Sequence, residues 1–226
     1  MPEKKSAPKK TKKSSLKPEK RLERELLVIV GFIAFLIVLF ILASLFFKAQ
    51  NRFEYQGLSF TKEKYGELPV YHYYYYFTNT AGKIIQYNLY LQHDPRKNNV
   101  SLIGDPVILG KRAVYVSLDK SYPENCRENM AGIVDLGLFL SENQFTVVSA
   151  LTNRTQAKEE DKQYVACENK PDAEVIELKG GNDETQIVVN GNCHEIIIGP
   201  DCQVRQAIEK FKLQIVLEAR ARNLRN

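Results

Sequence analysis

The stretch RAVYVSLDKSYPENCRENMAGIVDLGLFLSENQFTVVSAL, residues 112–151, decides the fold class. Its two ends, 112–118 and 145–151, are short and almost continuously apolar, the pattern of strands buried on both faces. Between them, residues 122–143 place Met130, Ile133, Val134 and Leu140 at helical spacing. Strand, helix and strand within forty residues form a βαβ unit with a parallel pair. Ser121 followed by Glu124 is a capping-box signature, so the helix is expected to start there.

Downstream, EVIELK (174–179), TQIVVNG (185–191) and HEIIIG (194–199) read as further strands, with Gly180-Gly181 and Asn190-Gly191 as turns. Residues 200–225 fit two periods. Phe211, Leu213, Ile215 and Leu217 alternate as in a strand, while Val204, Ile208, Phe211 and Ile215 make a helical stripe. A run of more than twenty residues exceeds an ordinary strand, so a C-terminal helix is expected, capped by Asp201 after Pro200.

Upstream, 52–66, 68–80 and 83–95 are three tyrosine-rich runs separated by glycine-bearing breaks, and they read as a three-stranded antiparallel meander. The middle run contains VYHYYYYF (70–77). Alternation puts Tyr71, Tyr73, Tyr75 and Phe77 on one face and His72, Tyr74 and Tyr76 on the other. The run supplies aromatic packing as a central strand. As an exposed shelf it would instead stack a sugar or grip a partner, which makes Tyr71, Tyr73 and Tyr75 candidate binding residues.

Residues 26–47, LLVIVGFIAFLIVLFILASLFF, are uncharged throughout. As a helix at ~1.5 Å per residue they reach about 33 Å, enough for a bilayer core. A cleaved signal peptide would have a shorter apolar region and a small-residue cleavage site, which LASLFFKAQ is not. Ten of the 32 basic and four of the 27 acidic residues precede this run, while only Lys48 and Arg52 closely follow it. The positive-inside rule therefore expects residues 1–25 to be a cytoplasmic tail and 48–226 an extracytosolic domain at the cell membrane. The Lys-, Pro- and Ser-rich tail cannot bury a core and is expected to be disordered, in contact with anionic lipid headgroups of the bilayer. Outside it 22 basic and 23 acidic residues remain, so no nucleic-acid face is implied.

Cys126, Cys167, Cys193 and Cys202 all fall in the outer region, which suits an oxidising compartment and two disulfides. Four cysteines allow three connectivities. If 194–199 is extended, Cys193 is carried about 20 Å away at ~3.3 Å per residue, which favours Cys167 with Cys193 and Cys126 with Cys202. The pairing of Cys126 with Cys167 and Cys193 with Cys202 stays open if that run curls back. No Cys-x-x-Cys or zinc-ligand spacing occurs, so no metal or cofactor is expected. His72, His93 and His194 lie in separate strand contexts, and no G-x-S-x-G, H-E-x-x-H or P-loop motif accompanies them. Asp119 and Asn153 follow the two βαβ strands, at the edge where α/β folds bind ligands. Asn99-Val100-Ser101 and Asn153-Arg154-Thr155 are glycan acceptor signatures.

YNLYLQHDPRKNNV, NGNCHEIIIGPDC and AIEKFKLQIV together resemble a group of uncharacterised single-pass membrane proteins of archaea. The resemblance covers the anchor and most of the outer domain. It implies an archaeal cell membrane and carries no catalytic residue across. The expectation is thus a mixed α/β fold on one transmembrane helix, working outside the cytosol as a binding or assembly module with a membrane or cell-surface protein as partner. The alternative is a membrane-anchored hydrolase using Asp119 and Asn153.

Overall fold

In the computed structural model, which describes residues 18–108, 113–123, 125–126 and 129–223, the apolar run is the middle of one long helix, α1 (Pro18–Gln50). Its segment Glu23–Phe47, 25 residues with mean hydropathy 3.4, is long and apolar enough to cross a membrane and buries none of its apolar surface in protein. A helix apolar on every face needs a nonaqueous surround, which points to membrane anchoring. The helix begins eight residues before the apolar run, so residues 18–25 are not part of a disordered tail. Pro18 suits the first helical position, and Glu, Lys, Arg and Leu behind it are good helix formers. The rest of the basic tail, with its expected lipid contacts, lies outside the described residues.

The second unit, Arg52–Asn226, is folded around its own core. It opens with a sheet of four strands, not three: β1 (Arg52–Tyr55), β2 (Leu58–Tyr65), β3 (Leu68–Thr78) and β4 (Ile84–Leu91), in the order β1-β2-β3-β4. Residues 52–66 are themselves a hairpin. Gln56 and Gly57 both take positive φ, 48° and 76°, the two-residue turn whose twist matches a hairpin. Glycine takes this conformation without strain and glutamine does not favour it, which hides the turn in the sequence.

The second sheet holds β5 (Ser101–Ile103), β6 (Ala113–Leu118), β7 (Thr146–Leu151), β8 (Gln163–Tyr164), β9 (Glu174–Gly180), β10 (Gln186–Asn190) and β11 (Cys193–Ile198). Their order is β5-β10-β11-β9-β6-β7-β8. Strands β11, β9, β6, β7 and β8 run parallel, and β10 joins them antiparallel through its hairpin with β11. The βαβ unit is present: β6 pairs with β7 in register Ala113↔Thr146, and α2 (Asn129–Glu142) connects them. A shorter helix, α3 (Arg154–Glu159), follows β7.

Helix α2 starts at Asn129, well past the expected capping box. Ser121 is occupied elsewhere, its hydroxyl donating to Asp119 at 2.5 Å and accepting from the Gly180 amide at 3.1 Å; Glu124 lies outside the described residues. The C-terminal segment is a helix, α4 (Val204–Asn223). Asp201 does not cap it. Its carboxylate accepts from the Thr185 amide at 3.3 Å and from the Thr185 hydroxyl, so it holds the β9–β10 turn instead.

One core joins both sheets to α2 and α4: Phe60 and Leu89 from the meander, Ile176 and Ile196 from the larger sheet, Phe139 from α2 and Phe211 from α4. Gly132 permits close approach of the helices, because a Cβ there would lie 2.8 Å from Ile208 Cδ1. Helix α4 is so enclosed that even Glu209 and Lys212 are buried, each 2% exposed. Burying a charge costs several kcal/mol unless it is paired. Glu209 accepts from the amides of Gln92 (2.7 Å) and His93 (3.1 Å) and meets His93 Nδ1 at 2.9 Å. Lys212 donates to Asp135 on α2 at 2.6 Å. Disulfides Cys126–Cys202 and Cys167–Cys193, with Cα–Cα distances of 5.4 and 5.3 Å, tie the α2 approach to the α4 approach and the loop after β8 to β11.

Candidate functional site

The strand β3 divides its aromatics between two environments. Tyr71 is core, edge-on to Phe53 at 5.9 Å. Tyr73 and Tyr75 on the same face are half-buried, against Phe60 at 5.5 Å and Tyr87 at 5.2 Å respectively. The Tyr75 hydroxyl donates to Asn143 Oδ1 at 2.5 Å. Burial holds the Tyr75 and Tyr87 phenols well above the usual tyrosine range. The exposed shelf is therefore not Tyr71, Tyr73 and Tyr75 but the opposite face, with Tyr74 and Tyr76 outermost and His72 stacked on Tyr90 at 4.6 Å. The alternation was visible in sequence; which face the helices cover was not.

Tyr73 and Tyr75 do meet a cavity, of about 430 Å³, between β3, the end of α2 and the last turns of α4. Phe77, Phe139, Phe145 and Ile215 continue its apolar wall. Arg220 and Arg222 are the only charged residues among its described lining residues. Arg220 also donates to the Gly57 carbonyl, so the β1–β2 turn fixes it in place. The cavity draws on residues far apart in the chain, from β3 to the end of α4, so no local sequence pattern signals it.

Asp119 and Asn153 sit after β6 and β7 as expected, but the chain itself uses them. Asp119 accepts from the Ser121 amide at 2.8 Å, from the Ser121 hydroxyl and from the Thr152 hydroxyl. Burial alone would raise its carboxyl, yet these hydrogen bonds outweigh it and hold the group below the ordinary carboxylate range. Asn153 is the N-cap of α3, accepting from the Gln156 amide at 3.0 Å. The other sequon asparagine, Asn99, is exposed in the loop before β5.

Each histidine meets a glutamate distant in sequence. His72 Nδ1 lies 3.0 Å from Glu63, His93 Nδ1 2.9 Å from Glu209 and His194 Nε2 3.2 Å from Glu174. The last pair is enclosed in the core beside Phe211, out of reach of a dissolved substrate. Sγ of Cys167, Sγ of Cys193 and a carboxylate oxygen of Glu195 come within 4.8 Å of one another. The two sulfurs are bonded to each other, so they offer no thiolate to a metal. Compared with protein families, curated proteins and solved structures, the chain matches none.

Proposed function

We propose that the chain is a single-pass membrane protein whose folded unit acts outside the cytosol as a binding or assembly module. The observation that carries this reading is the aromatic cavity: a half-enclosed apolar hollow with two arginines is built for binding. Orientation rests on the ten basic residues before the span, and both closed disulfides support an oxidising compartment. The basic tail would meet anionic lipid headgroups on the cytoplasmic side, and the resemblance to archaeal membrane proteins fits the same membrane. A hydrolase at the β6–β7 edge is the weaker alternative, because Asp119 and Asn153 already hold their own loops.

The test is to cross-link the tagged full-length chain in its native membrane and purify it. A bound molecule should map to the cavity walls and be lost in Ala219→Trp, which fills the hollow. Cross-links unaffected by A219W, or hydrolytic turnover abolished by D119N, would sink the proposal.

A further inference from the structure

Resting on that reading, we propose that the cavity takes a single-chain amphiphile with an anionic head. Ligand clefts are concave, mostly apolar and carry a few placed polar groups, and an apolar hollow of about 430 Å³ bounded by aromatic rings suits an occupant of its own chemistry. At ~30 Å³ for each water-sized group, the space holds roughly 14 such groups. That is one hydrocarbon chain of about that many carbons, not two.

The polar groups specify the other end. The Tyr75 hydroxyl donates to Asn143 Oδ1, and the Asn143 amide nitrogen donates to the Phe139 carbonyl at 2.8 Å, which leaves little for the many hydroxyls of a sugar. Arg220 and Arg222 are unopposed by any carboxylate among the described lining residues. Arginines in a last helical turn also complement the helix dipole, but that role does not require them beside an apolar hollow. Guanidinium groups bind carboxylate or phosphate with charge-assisted hydrogen bonds and shed water readily. The chain would lie along Tyr73, Phe139 and Ile215, with its head at Arg222.

The experiment uses the full-length chain in nanodiscs of zwitterionic lipid, with palmitic acid carrying a terminal diazirine and the matching hexadecanol as neutral probe. After photolysis the acid should label peptides containing Phe139, Phe145 or Ile215, and excess unlabelled palmitate should suppress the adducts. Arg222→Gln should lower labelling by the acid roughly fivefold, the order expected for one partly solvated charge-assisted hydrogen bond, and leave labelling by the alcohol unchanged. Ala219→Trp should abolish both, with peptide maps showing both disulfides intact. Acid adducts confined to α1, or equal labelling by acid and alcohol that R222Q does not alter, would overturn the assignment. If the native-membrane cross-link to the cavity persists in either case, the ligand class alone is wrong and the binding module stands.

Discussion

Replacing Glu209 by glutamine tests how the meander is held to the helical layer. Three N–H donors, the amides of Gln92 and His93 and His93 Nδ1, lie 2.7 to 3.1 Å from its two carboxylate oxygens. Glutamine keeps the shape but offers one acceptor oxygen, and it turns an NH2 toward a donor. Hydrogen bonds to a charged group contribute about 1.5–3 kcal/mol each, and a buried donor left unpaired costs ~1–3 kcal/mol. With Glu209 only 2% exposed, water cannot make up the loss, and the expected cost is ~3 kcal/mol. For a domain of this size 1 kcal/mol moves Tm by about 2–4 °C, so Glu209→Gln should lower it by roughly 6–12 °C. Near-ultraviolet dichroism of the tyrosines would follow the unfolding without interference from α1. Hydrogen exchange should also accelerate at Gln92 and His93. A Tm within 2 °C of the parent, with both amides still protected, would refute the assignment of Glu209 as the clasp.

The Lys212–Asp135 pair should respond asymmetrically, because Lys212 is buried and Asp135 is 37% exposed. Lys212→Met lets Asp135 rehydrate and should stay within about 1 kcal/mol of the parent, whereas Asp135→Ala strands a buried ammonium and should cost ~2–3 kcal/mol in urea unfolding. Opening Cys126–Cys202, which spans 76 positions, should destabilise more than opening Cys167–Cys193, which spans 26. The chain-entropy relation gives about 4.5 and 3.5 kcal/mol, and paired Cys→Ala variants in urea would show the order. Asp119 has a depressed carboxyl, so the folded state binds fewer protons than the unfolded one. Its contribution is full above the unfolded value near ~4 and is lost as pH falls through the folded value. Asp119→Asn should therefore flatten the acid limb of stability below about pH 4, as read from urea midpoints.

Much of the fold was legible because its signals are local. The apolar ends of 112–151 marked β6 and β7, and the length of 200–225 decided for α4 against a strand. Where the sequence misled, a side chain had a distant partner that outbid the local pattern. Ser121 bonds Asp119 and Gly180 rather than capping α2, and Asp201 bonds Thr185 rather than capping α4. The Gln56-Gly57 turn was missed because glutamine is not a usual residue for positive φ. The site was harder still. Alternation in VYHYYYYF is intrinsic to a strand, but whether Tyr73 or Tyr74 faces the helices depends on α2 and α4. The three His–Glu contacts join residues 9, 116 and 20 positions apart, and no sequence period records them.

The most direct measurement of anchoring with the folded unit outside is protease protection on intact cells, with one tag at each terminus. Ten basic residues lie before the span and only Lys48 and Arg52 close behind it. Added protease should therefore remove the C-terminal tag and digest residues 52–226 while the N-terminal tag survives, still attached to α1. A protected folded unit with a digested N-terminal tag would contradict the orientation, and loss of both tags to the soluble fraction without protease would contradict the anchor itself.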